Sequence, residues 1–124
     1  MIWSERFLRS LDEAESWYLK TMPDDPYYLE VLERRIRSCE ADIVPERARR
    51  HYEERKREAE EWYERRAAGL AARRAVTADP LDELALALEE GRLRREYLER
   101  LFFALKEVAR LYAVRAYEAP EVEG

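Results

Sequence analysis

The feature that most constrains the fold is a long apolar run late in the sequence, from Pro80 to about Tyr117. Its apolar residues recur at alternating intervals of three and four, which is the period of one face of an α-helix. Two such series lie side by side on the same predicted helix, and we call them the first seam and the second seam. The first seam is Leu81, Leu84, Leu88, Gly91, Arg95, Leu98, Phe102, Leu105, Ala109, Tyr112 and Ala116. The second seam is Leu86, Leu93, Tyr97, Leu101, Ala104, Val108 and Leu111.

A surface helix needs only one apolar stripe to face its core, so two adjoining seams predict neighbours on two sides. Those neighbours lie either inside one bundle or across a contact between chains. The start of the helix is well marked, because Thr77 and Asp79 can cap free amides and Pro80 suits the first helical position. Asp82 and Glu83 follow in the first turn, where the helix dipole favours negative charge. At about 1.5 Å per residue, the whole run would be about 57 Å long.

Composition supports a protein built from long helices. The 124 residues are 47% hydrophobic and 41% charged, with only 3 glycines and 5 prolines, as is typical of helical chains. The length fits one domain with a modest core. The formal charge of −5, from 23 basic and 28 acidic residues, argues against binding nucleic acid through the overall electric field.

The single cysteine and the absence of long apolar stretches limit the cellular context. Cys39 excludes an internal disulfide, and its helical spacing with Leu32, Ile36 and Ile43 predicts a small core residue. No apolar run approaches the length of a membrane span, and the first residues lack the uninterrupted apolar region of a signal peptide. We therefore expect a cytoplasmic protein.

Three further helices are predicted before the long run. The first extends from Ser4 to Met22, where prolines interrupt the pattern. The second begins at Pro26 with Asp25 as its cap, and the third extends from Pro45 to about Arg74. The second helix has the cleanest seam, formed by Leu29, Leu32, Ile36, Cys39 and Ile43. We favour a turn at Pro45 over one continuous kinked helix, because proline removes a backbone hydrogen bond and crowds the preceding turn.

Four helices joined by short turns predict an all-α, antiparallel helical bundle. The last two helices are long and are expected to form a hairpin that either projects beyond a shorter base or completes a core with a second copy. Residues 1–117 are expected to form a single domain. Residues 118–124 are expected to be a flexible tail.

Two clusters of glutamates suggest a metal site as an alternative function. Glu60, Glu61 and Glu64 fit the pattern Glu-Glu-x-x-Glu, and Glu96 and Glu99 precede the run Leu101-Phe102-Phe103-Ala104-Leu105. This arrangement resembles the all-α NTP pyrophosphohydrolase family. The resemblance implies that the five glutamates hold Mg²⁺ against the phosphates of a nucleotide, which is chemically reasonable because Mg²⁺ prefers carboxylate oxygens.

A second alternative is a helical subunit associated with nucleic acid. In the third predicted helix basic residues outnumber acidic ones. Those near Tyr52 include Arg47, Arg49, Arg50 and Lys56. These four form a possible phosphate-binding face. The glutamates between them favour instead a face of intramolecular or intermolecular salt bridges.

The preferred hypothesis is a small helical interaction or assembly protein that forms a homo-oligomer or binds a helical protein partner. No catalytic constellation is evident, and we expect no cofactor. Aromatic residues are enriched at protein interfaces, so the contact is expected to involve Trp62 and the second seam. The predicted interface residues are Trp62, Leu86, Leu93, Tyr97, Leu101 and Val108.

Overall fold

A computed structural model describes residues 5–20 and 25–113. It contains α1 (Glu5–Lys20), α2 (Pro26–Ala41), α3 (Glu46–Val76) and α4 (Pro80–Val108), followed by a π-helical turn, Ala109–Ala113. No strand occurs among these residues, so the predicted all-α bundle with two long final helices is confirmed. The predicted tail, residues 118–124, lies outside the described residues.

Two of the predicted helix starts are confirmed in detail. The Asp25 carboxylate accepts hydrogen bonds from the amides of Tyr27 and Tyr28. The Asp79 carboxylate accepts one from the amide of Leu81 at 2.9 Å. Thr77 was also predicted to cap the start of α4, and this prediction is wrong. Its hydroxyl donates to the Arg73 carbonyl oxygen at 2.7 Å and so helps to end α3.

The turn predicted at Pro45 is also confirmed, because α2 ends at Ala41 and α3 begins at Glu46. The last carbonyl groups of a helix have no partner within it. Here the guanidinium of Arg49 donates hydrogen bonds to the carbonyl oxygens of Glu40, Ala41 and Ile43 at 3.1 to 3.3 Å. One arginine on α3 therefore closes the end of α2 and holds the turn.

The core lies between α1, α2 and the C-terminal half of α4, with one side of α3. Phe102 stacks on Tyr18 of α1 with ring centroids 4.8 Å apart. Cys39 is fully buried, as predicted, with its Sγ 4.0 Å from the Phe7 carbonyl oxygen. Other buried residues of this core include Leu11, Ala14, Leu29, Leu32, Ile36, Ile43, Leu98, Leu101, Leu105 and Val108.

The hairpin of α3 and α4 is much longer than the pair formed by α1 and α2. α1 and α2 have 16 residues each, whereas α3 has 31 and α4 has 29. At about 1.5 Å per residue, α4 is about 44 Å long and the shorter helices are about 24 Å long. The far part of the hairpin is held by salt bridges from Arg73 to Glu89, at 2.7 Å, and from Arg74 to Glu90. The hairpin therefore projects beyond α1 and α2, which we call the base.

The end of α4 differs from the prediction that one α-helix would extend to about Tyr117. The α-helix ends at Val108, and the next five residues form the π-helical turn. Within this turn Tyr112 lies beside α3, where its hydroxyl is 3.3 Å from Nδ1 of His51. Residues 114–117 lie outside the described part of the chain.

We predict that Cys39 resists modification in the folded protein. Burial raises the pKa of its thiol to about 12, and the thiolate is the reactive form. An aromatic disulfide reagent added at mildly alkaline pH should modify the native protein far more slowly than the denatured protein. Rapid modification under native conditions would show that α1 and α2 separate readily.

Candidate functional site

The first seam of α4 is covered over only part of its length. Leu98 and Phe102, which face α1 and α2, are at most 1% exposed. On the same face beyond the base, Leu81 is 75% exposed, Leu84 59% and Leu88 46%. Exposure falls steadily towards the base. We call Leu81, Leu84 and Leu88 the leucine stripe, and it is the part of the first seam that this chain leaves uncovered in the described residues.

The predicted interface residues of the second seam lie inside the chain. Leu101 and Val108 are fully buried, and Leu86, Leu93 and Tyr97 are at most 9% exposed. They are covered because the second seam faces α3, as the ring of Tyr97 shows by lying 4.8 Å from that of Tyr63. These five side chains hold the hairpin and the core together, and the exposed apolar surface belongs to the first seam instead.

Trp62, the sixth predicted interface residue, is half-buried beside a groove between α3 and α4. The guanidinium carbon of Arg100 lies 3.9 Å from the centre of its ring, close enough for a cation–π interaction. The groove has a volume of about 420 Å³, and Arg66, Arg73, Arg92, Leu93 and Glu96 are among its lining residues. Trp62 is thus packed against the arginines of its own hairpin.

Opposite charges border the two ends of the leucine stripe. Asp79, Asp82 and Glu83 lie at the end near the tip of the hairpin, and Arg92, Arg94 and Arg95 lie at the end near the base. The intervening Glu89 and Glu90 are directed to α3 by their salt bridges with Arg73 and Arg74. At 100° per residue, however, Asp82 lies about 160° and Glu83 about 100° from Leu84 around α4, and Arg94 and Arg95 pair with Glu33 and Glu99. The acidic residues therefore do not lie on the face that carries the stripe.

The five glutamates of the predicted metal site do not converge. Glu99 accepts a hydrogen bond from the Tyr18 hydroxyl at 2.6 Å, which turns it towards α1. Glu61 and Glu64 are exposed on α3, and Glu96 lines the groove beside Trp62. Among residues 5–20 and 25–113, no group of three or more histidines, cysteines or carboxylates is placed to hold a metal ion. Packing of α3 on α4 brings the two segments side by side, as the contact of Tyr63 with Tyr97 shows. The arrangement that the pyrophosphohydrolase resemblance implies is nevertheless not formed, because the carboxylates of the two clusters point in different directions.

The four predicted phosphate-binding residues are divided between two sides of α3. Arg49 closes α2, and Lys56 pairs with Glu40 at 2.9 Å. Arg47 and Arg50 line a different shallow pocket, where the Arg47 guanidinium lies 5.9 Å from the centre of the Tyr112 ring. Two of the four side chains are therefore engaged within the bundle, and the four do not form a single face.

Glu40 is the centre of a partly buried polar network that the sequence analysis missed. Its carboxylate accepts a hydrogen bond from the Tyr52 hydroxyl at 2.5 Å and pairs with Lys56 and Arg37. Burial by itself would raise the pKa of Glu40, but the hydrogen bonds from Tyr52 and Lys56 hold it below its ordinary value of 4.5. Burial, followed by the nearby charge of Glu40, raises the pKa of Tyr52. The only signal in the sequence was Tyr52 itself, an aromatic residue in a helix that is rich in charged residues.

A second network joins α3 to the end of α4. The Nε2 atom of His51 lies 3.0 Å from Oε2 of Glu107, and the Nε of Arg55 donates to the same oxygen at 3.1 Å. The hydrogen bond from His51, reinforced by the charge of Arg55, lowers the pKa of Glu107. His51 is half-buried and has partners on both sides, Glu107 at Nε2 and Tyr112 at Nδ1.

Comparison with known proteins adds no functional information. No protein-family model, curated protein or solved structure matches the chain. None of the described helices combines the length and the apolar character needed to cross a membrane.

We predict that Glu40→Gln destabilises the protein by about 1 to 3 kcal/mol near neutral pH, because Lys56 and Arg37 lose their counter-charge. The native carboxylate binds a proton less readily than the unfolded one. Its contribution to stability is therefore present above the ordinary value of 4.5 and is lost as pH falls below it. Urea unfolding of both proteins across this pH range measures the difference.

The control is Glu64→Gln, which removes a carboxylate that is exposed on α3. It should change the free energy of unfolding by less than about 0.5 kcal/mol. If Glu40→Gln costs as much in acid as it does near neutral pH, the charge of Glu40 is not what stabilises the network.

Proposed function

We propose that this protein is a self-associating helical assembly subunit, with the leucine stripe of its projecting hairpin as the contact surface. The observation that supports this is the continuity of the first seam. The same face of α4 that α1 and α2 cover at Leu98 and Phe102 continues outward as three exposed leucines. Single exposed leucines are common on soluble proteins, whereas aligned apolar residues on one face are typical of contact surfaces.

The spacing of the stripe fits contact with another helix. Leu81, Leu84 and Leu88 are separated by three and four residues, which aligns them along one side of α4. Helices that pack against one another use such rows of side chains as ridges that enter the grooves of the partner. A second copy of this chain carries the same exposed row, so two copies can cover one another's leucines through a contact that uses the same surface on both.

We predict that the wild-type protein forms dimers in a sedimentation experiment over a concentration series, and that Leu84→Glu weakens the dimer at least about tenfold. Burying an unpaired carboxylate in an apolar contact costs more than the roughly 1.4 kcal/mol that this factor represents. Leu88→Glu should act in the same direction. Far-UV circular dichroism and thermal unfolding would establish that each variant keeps its helices.

The matched control is Leu19→Glu, which places the same charge at a 76% exposed leucine on α1. It should leave the dimer unchanged. The proposal is contradicted if the wild-type protein is monomeric throughout the series, or if Leu84→Glu and Leu88→Glu associate as strongly as the wild type.

A further inference from the structure

We propose that the groove between α3 and α4 binds an organic phosphate, with the phosphate group held by Arg66 and Arg100 at the end marked by Trp62. No residue that lines this groove belongs to the leucine stripe, so binding there does not require self-association. The groove has a volume of about 420 Å³, which is within the usual range of small-molecule sites. From Trp62 to Arg73, its α3 wall is about three helical turns long.

Two arginines approach the ring of Trp62, one from each helix of the hairpin. The guanidinium carbon of Arg100 lies 3.9 Å from the ring centre, and that of Arg66 lies 5.7 Å from it. An aromatic ring attracts a cation but has no strong hydrogen-bond acceptor. The N–H donors of both side chains are therefore available to a further partner.

Neither of these two arginines has a carboxylate partner in the part of the chain that the structure describes, and both are exposed. By contrast, Arg73, Arg74 and Arg94 each pair with a glutamate of another helix. Two positive charges held around one ring repel each other, and an anion between them converts this repulsion into attraction. The Trp62 end of the groove is thus prepared for an anion.

The number of donors favours phosphate over carboxylate. A phosphate monoester has three acceptor oxygens and a charge of about −1.5 to −2 near neutral pH, so it can accept hydrogen bonds from two guanidinium groups at once. A carboxylate has two oxygens, and a single guanidinium can occupy both. The two unpaired guanidinium groups around Trp62 therefore match a phosphate.

The rest of the groove suits an uncharged organic group. Leu70 and Leu93 line it, and Gly69 contributes no side chain. A Cβ atom at Gly69 would contact nothing within 4 Å beyond its own stretch of α3, so the packing of α4 does not require this glycine. Glycine inside a helix is less stable than alanine. Its effect here is to leave open space one helical turn from Arg66.

Two carboxylates also line the groove, but arginines outnumber them by four to two. Glu89 is paired with Arg73 at 2.7 Å. Glu96 is exposed, and its charge opposes that of a phosphate. The groove is therefore positive on balance, in a chain whose formal charge is −5.

Titration with inorganic phosphate, phenyl phosphate and benzoate at low ionic strength tests the site. Phenyl phosphate should bind with a Kd below about 1 mM and at least about tenfold more tightly than benzoate. It should also bind more tightly than inorganic phosphate, because its ring contacts the apolar lining. In an isotope-labelled sample, the indole N–H resonance of Trp62, assigned with Trp62→Phe, should shift during the titration. The resonance of Trp17, on α1, should not shift.

Substitutions locate the two parts of the ligand. Arg66→Gln and Arg100→Gln should each weaken phenyl phosphate binding at least about tenfold, because each removes charge-assisted donors. Gly69→Leu fills the open space and should weaken phenyl phosphate while leaving inorganic phosphate unchanged. Glu96→Gln should tighten the binding of both.

The matched control is Arg57→Gln, which makes the same change of charge at an exposed arginine of α3. Arg57 lies about 140° from Trp62 around the helix and so outside the groove. Its substitution should change the Kd by less than about twofold. Circular dichroism of each variant distinguishes loss of the site from loss of the fold.

The proposal is overturned if phenyl phosphate fails to shift the Trp62 resonance, or if Arg66→Gln and Arg100→Gln bind it as well as the wild type. It is also overturned if Arg57→Gln weakens binding as much as they do, which indicates attraction by overall charge. Benzoate binding as tight as that of phenyl phosphate would identify a carboxylate site and contradict the assignment to phosphate. None of these results affects the leucine stripe, which sedimentation tests separately.

Discussion

The packing of α4 against neighbours on two of its sides is the interaction on which the rest of the structure depends. Its second seam meets α3, where the rings of Tyr97 and Tyr63 are in contact. Its first seam meets α1, where Phe102 stacks on Tyr18. Beside this contact, Glu99 accepts a hydrogen bond from the Tyr18 hydroxyl. α4 thus packs against both α3 and the base, and the packing of both depends on the apolar residues of this one helix.

The exposed leucine stripe follows from a mismatch of lengths. The 16-residue α1 and α2 can cover only part of the 29-residue α4. The second seam is covered from Leu86 to Val108 because α3 is as long as α4, but the first seam loses its cover where the base ends. The residues of the first seam do not change in character at this point. What changes is whether α1 and α2 cover them. This is why Leu98 is buried in the core and Leu84 is exposed.

Much of the charge on this chain is used between its own helices. Arg94 pairs with Glu33 at 2.6 Å, Lys106 with Glu15 at 2.7 Å, and the Glu40 network joins α2 to α3. Exposed pairs of this kind contribute little individually, but together they set the relative positions of the helices. Arg49 and Lys56, which the sequence suggested as phosphate ligands, serve the same purpose. Their chemistry suits a phosphate, but their positions bring them to groups within the bundle.

The sequence by itself determined the helices and most of their ends, because these depend on local chemistry. Proline positions, the caps at Asp25 and Asp79 and the apolar period can be recognised without tertiary contacts, and the burial of Cys39 follows from its place on the α2 seam. The two seams of α4 were also visible. Only the tertiary structure decided which seam would be covered, which glutamates would meet and which arginines would find partners. These outcomes depend on how far each helix extends past its neighbour and on the direction in which each side chain points after packing. Periodicity places a residue on a face, but the neighbouring helix determines whether that face is buried or exposed.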